Sequence, residues 1–126
     1  MKKLFLGILT LISIAISCTK DTSVEPIGVW KVAHYVDSGK DETADFNGYT
    51  FEFQTGGKFI AKFSGRTVTG TWVENSSSKK LDIKISGDQK LDDISDDWLI
   101  VEKTNSSIRL KDDNSSSNEE LHLVKL

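Results

Sequence analysis

The feature that most constrains this chain is a period of two. Leu81, Ile83 and Ile85 alternate with Lys80, Asp82 and Lys84, so one side of the segment is apolar and the other charged. Successive side chains of a β-strand point to opposite faces, so such a segment is a strand with one face on a core. The same alternation recurs along residues 29–37, 49–55, 58–64, 66–74, 80–86, 98–104, 107–112 and 119–126. Gly56-Gly57, Gly65, Asn75 with its three serines, and Asn105-Ser106 punctuate these runs as turn residues do. A sustained helical period is missing after residue 17, and residues 92–97 offer one helical turn at most.

Eight strands joined by short links predict an all-β domain, an eight-stranded antiparallel up-and-down barrel, in which closure removes the exposed edges. A two-sheet sandwich is the competing architecture. If the alternation holds, Trp30, Val32, Phe51, Phe53, Phe59, Phe63, Val68, Trp72, Leu81, Ile83, Ile85, Leu121 and Leu123 point inward. An eight-stranded barrel is just wide enough to be filled by side chains or to hold one small ligand.

The first 17 residues are of another kind. Met1-Lys2-Lys3 is a short basic start, and residues 4–16 are uncharged and almost wholly apolar. That is the layout of a secretory signal, too short to span a bilayer as a helix. The run ends Ile14-Ala15-Ile16-Ser17-Cys18, which resembles a bacterial lipobox, and Cys18 is the only Cys in the chain. The resemblance implies cleavage before Cys18 and lipidation of its thiol with acyl groups such as palmitate, giving a membrane anchor. Residues 18–26 then read as a lipidated N-terminus and tether, and 27–126 as the barrel. Cleavage removes two of the 16 basic residues and none of the 19 acidic ones, moving the net charge from −3 to −5. Lys20-Asp21 partly resembles the charged export signal of surface lipoproteins in Bacteroidota. The expected location is the bacterial outer membrane, facing the periplasm or the cell surface.

Gly28-Val29-Trp30 opens the first strand and Gly70-Thr71-Trp72 lies in the fourth, with Tyr49-Thr50-Phe51-Glu52-Phe53 and Gly57-Lys58-Phe59 between them. This pattern resembles the small lipocalin-like domains of Bacteroidota lipoproteins, over residues 27–126. The resemblance implies an indole, here Trp30, across the closed end of the barrel. The Thr-Asp-Tyr motif of larger lipocalins is missing, and Lys125 is the only basic candidate in the last strand to lie on Trp30, where an Arg would stack better. A small apolar ligand is the implied cargo, with Trp30, Phe51, Phe53, Phe63 and Trp72 as its wall and residues 38–48 bordering the mouth. The other reading is a filled barrel acting as a protein-interaction module of the cell envelope.

Other chemistries find little footing. Asp88, Asp92, Asp93, Asp96 and Asp97 are crowded, but lack the alternating spacing and central Gly of a calcium loop, and Asp112, Asp113 and Asn114 are a smaller case of the same kind. They read as solvated connections. His34 and His122 stand far apart in sequence, and two His without a third ligand make a weak site. Residues 65–71 echo a phosphate loop without its Lys, and there is no Gly-x-Ser-x-Gly. The expectation is a non-enzyme with no metal and no cofactor. The acidic balance argues against nucleic acid as partner.

Overall fold

A computed structural model describes residues 24–114 and 116–126. The expected signal over 1–17, Cys18 and most of the expected tether lie outside the described residues.

Among the described residues nine strands follow one another: β1 (Gly28–Asp37), β2 (Lys40–Asp41), β3 (Thr50–Gln54), β4 (Lys58–Phe63), β5 (Arg66–Asn75), β6 (Lys80–Lys84), β7 (Asp96–Lys103), β8 (Ser107–Asp112) and β9 (Glu120–Lys125). All pairings are antiparallel and sequential except that β2 is a two-residue spur folded back on the end of β1, which pairs β3 directly. Strand β9 returns to β1, from Trp30 opposite Lys125 to Val36 opposite Glu120, and closes the sheet. The result is the eight-stranded up-and-down barrel expected from the alternation, and the sandwich is set aside.

Strand bounds match the periodic segments to within a residue or two, because Gly, Asn and Ser sit where the chain must reverse. One glycine inside a strand has a different reason. A Cβ on Gly70 would fall 2.9 Å from Ile85 Cβ and closer still to the Lys84 carbonyl, so only a bare backbone lets the end of β6 lie across β5.

The helical turn lies earlier than expected. It is α1, Gln89–Ile94, not 92–97. Asp88 fixes its start, since its carboxylate accepts from Leu91 N at 2.8 Å. Leu91 and Ile94, three residues apart, are the buried side of this single turn.

Two bulges shift which residues face the core. The β1–β9 register slips between Val32 and His34, and the β7–β8 register between Ile100 and Glu102. An extra residue in one strand reverses the in-out alternation beyond it. Trp30 and Val32 therefore face the core before the first bulge, and Tyr35 after it. Trp98 and Ile100 face it before the second, and Lys103, only 2% exposed, after it. Of the expected inward residues, ten are buried, while Val32, Phe63 and Val68 are partly buried and packed on the core. Tyr35, Phe46, Ala61, Leu91, Ile94, Trp98, Ile108 and Leu110 complete it.

Candidate functional site

The barrel has two ends. One carries Trp30 and the turns β3–β4, β5–β6 and β7–β8. At that end Trp30 donates its indole N–H to the Pro26 carbonyl at 2.8 Å, and the Lys125 ammonium lies 5.7 Å from the centre of its ring. Lys125 thus takes the place over the indole that the sequence reserved for a basic residue. A Cβ on Gly28 would meet the Lys125 side chain, and Gly28 has a φ of +132°, so the Gly before the Trp opens the path for that Lys.

The other end is covered by α1 and by the long connection from β1 to β3. Within residues 38–48, Gly39 borders a cavity while Phe46 turns inward. A 3-10 turn, Thr43–Phe46, drives Phe46 into the barrel, edge-on to Tyr35 at 5.1 Å and to Phe51 at 6.3 Å. Phe51 stacks on Phe59 at 5.6 Å, Phe59 meets Phe53 at 5.0 Å, and Phe53 meets Trp72 at 5.7 Å. These are the spacings of packed aromatic pairs. Trp72 in turn donates its indole N–H to the Gln54 carbonyl at 2.9 Å.

Of the five residues expected to form a ligand wall, Trp30, Phe51, Phe53 and Trp72 are buried in one core cluster. Phe63 packs on the edge of that cluster at the α1 end, partly buried, stacked on Tyr49 at 4.3 Å with the Arg66 guanidinium 5.2 Å from its ring centre. Among the described residues, cavities flank the barrel at the following places, and none of the five lines them. One of about 340 Å³ lies at the β8–β9 turn, bordered by Gly39, Lys111, Asp112, Ser117, Glu119 and Glu120. One of about 360 Å³ lies on the outer face of β5–β6, against Val73, Lys80 and Asp82. The third, about 70 Å³, sits beside Glu74, Ile100 and Val101.

Beside the first cavity, Asp96, Asp112 and Glu119 bring carboxylate oxygens within 4.8 Å of one another. The acidic crowd seen in the sequence is otherwise dispersed. Asp88 caps α1 and accepts from the Tyr49 hydroxyl at 3.1 Å, while Asp97 and Asp113 both approach Lys80. The three-carboxylate group joins the ends of three elements: the first residue of β7, the last of β8 and the residue before β9. The sequence treated Asp96 and Asp112 as parts of separate loops and did not weigh Glu119. The hairpin spacing from β8 to β9 is the signal that pairs Asp112 with Glu119.

These carboxylates differ in environment. Asp112 accepts from Ser117 Oγ at 2.6 Å and Asn114 N at 3.0 Å, which holds its carboxyl below the ordinary range. Burial raises Asp96. Glu119 is pushed up to about 7, first by burial and then by the charges of Asp96 and Asp112, against the lowering effect of the Tyr35 hydroxyl that donates to it at 3.0 Å. Burial and the Glu119 charge raise Tyr35 in turn, keeping it a donor. Three oxygens fall short of the six to eight that calcium takes, and a cluster sharing a proton near neutrality answers its own repulsion.

Glu74 and Lys103 form an ion pair facing the barrel interior at the Trp30 end. The second bulge places this Lys there, which strict alternation along β7 does not anticipate. The two histidines, distant in sequence, face each other on the outer wall with ring centres 5.3 Å apart.

No family model matches the chain, and no curated protein does. Among solved structures it is similar to a DUF4847 family protein from Bacteroides vulgatus, with a TM-score of 0.61 at 11% identity, covering 79% of this chain and 92% of that one. At that identity the likeness is one of fold: an all-β barrel of a kind found in a Bacteroides protein.

Proposed function

We propose that this chain is a lipid-anchored protein of the bacterial outer membrane whose lipocalin-like barrel is filled by its own side chains and acts as an interaction module through its outer surface. The observation that carries the reading is the continuous run of ring contacts from Phe46 through Phe51, Phe59 and Phe53 to Trp72. These rings occupy the volume in which an apolar cargo would lie. The anchor rests on Cys18, the single Cys, placed directly after an apolar run. The lipocalin-like part rests on Trp30 with Lys125 over it.

Native mass spectrometry of residues 19–126 after incubation with a lipid extract of Bacteroides membranes tests the filled interior. Bare protein mass is expected. A one-to-one apolar adduct that disappears on organic extraction would overturn this reading in favour of a carrier. Radiolabelled palmitate feeding of cells expressing the whole chain tests the anchor, with label expected in the wild type and lost in Cys18→Ser.

A further inference from the structure

The bulge in β1 does more than turn Tyr35 inward. Val32 lies opposite Leu123, and without the extra residue Ala33 would lie opposite His122. With it, His34 takes that place. The only two histidines of the chain are thereby set side by side on the outer wall, each partly buried, on neighbouring strands.

Their rings are tilted by 56° with centres 5.3 Å apart. An ion bound at the usual 2.0–2.1 Å to one nitrogen of each of two imidazoles holds the ring centres about 4.5 Å apart at a right angle and about 5 Å apart at the tetrahedral angle. The observed separation is within a small side-chain rotation of that range.

A polar partner lies against one nitrogen of each ring. Thr43 donates its hydroxyl to Asp41 Oδ1 at 2.6 Å, so its oxygen faces His34 Nδ1, 3.5 Å away, as an acceptor. Glu120 Oε2 lies 3.4 Å from His122 Nε2. Both contacts are favourable with the ring protons on Nδ1 of His34 and Nε2 of His122. No hydrogen bond among the described residues occupies His34 Nε2 or His122 Nδ1. Fixing one ring nitrogen by a second group is how ligating histidines are commonly oriented. Among the described residues the charges near the pair include Glu120 and Asp41, which favour a cation, and Arg109, opposite His122 on β8, and Lys111, opposite Glu120, which oppose one; Arg109 lies 3.8 Å from Glu102.

We propose that His34 and His122 form a two-imidazole clamp for a late first-row divalent ion, Cu²⁺ before Ni²⁺ or Zn²⁺, on the outer wall of the barrel. Two imidazole nitrogens with solvent completing the coordination suit that class, and Cu²⁺ heads its affinity order.

The test is titration of the whole chain, without a histidine tag, with CuCl₂ at pH 7.4, read by calorimetry and by electron paramagnetic resonance. One Cu²⁺ per chain with two coupled nitrogens is expected. His34→Gln and His122→Gln should each weaken binding by at least about tenfold and leave one coupled nitrogen. Asp96→Asn, in the carboxylate group, should bind as the wild type does. Near-UV circular dichroism establishes that each variant is folded before its affinity is read. Unchanged affinity in both histidine variants, an all-oxygen spectrum, or loss of binding in Asp96→Asn overturns the proposal.

Discussion

Replacing Glu119 by Gln tests the reading of the carboxylate group. Glu119 binds its proton up to about pH 7 in the fold, against an ordinary value of 4.5. At ~1.4 kcal/mol for each pH unit, the gap would be worth ~3 kcal/mol in a dry site. Glu119 is only half-buried, so solvent screening reduces this to about 1–2 kcal/mol. The sign follows from proton linkage. The folded state holds the proton that the unfolded state has released, so Glu119 makes stability fall as pH rises from about 4.5 to about 7, and its cost is constant above. Gln keeps an oxygen for the Tyr35 hydroxyl and removes the charge. Glu119→Gln should therefore match the wild type at pH 4 and exceed it by about 1–2 kcal/mol at pH 8, or roughly 5–10 °C in Tm for a domain of this size. Asp96, raised by burial, acts in the same sense as Glu119; His122, lowered by burial, acts oppositely below its ordinary value of 6.5. Both remain in the variant, so the difference between the two proteins reports Glu119 together with its coupling to Asp96 and Asp112. Thermal unfolding followed by circular dichroism from pH 4 to 8 is the assay. A difference that does not change with pH, or a variant less stable at pH 8, would refute the reasoning.

Three further outcomes follow from the packing. Phe51→Ala empties the centre of the aromatic run and should cost about 3–5 kcal/mol, read by urea unfolding, as expected of a core residue and not of a cavity wall. Glu74→Gln leaves the Lys103 ammonium buried without its partner charge and should cost about 3–5 kcal/mol, whereas Lys103→Met with Glu74→Leu should recover most of that loss, in the same assay. Gly70→Ala forces a methyl against the Lys84 carbonyl and should lower stability by about 1–3 kcal/mol by differential scanning calorimetry.

Much of the fold was legible because each strand announces itself locally. Leu81, Ile83 and Ile85 face the core as their spacing dictates, and the turns fall at Gly, Asn and Ser. What the alternation misplaced lies beyond the bulges. Tyr35 and Lys103 share a face with positions that a strict period of two assigns to solvent, and a bulge has no marker at Ala33 or Val101. The Phe46 insertion was equally hidden, since a single Phe in a polar connection carries no period. Helix α1 was misplaced by a few residues, although Asp88 as a cap with Leu91 and Ile94 behind it was there to be read.

The candidate sites divide in the same way. By itself the sequence determined the strands, their order and most of the inward side chains, because a period of two is written in neighbouring residues. Contacts between residues distant in the chain were decided by closure of β9 on β1, by two bulges and by the packing of strand ends. Closure sets His34 beside His122, and the packing of three strand ends gathers Asp96, Asp112 and Glu119. How much space eight strands leave depends on what their connections push into it, and here Phe46, Leu91 and Ile94 are pushed in.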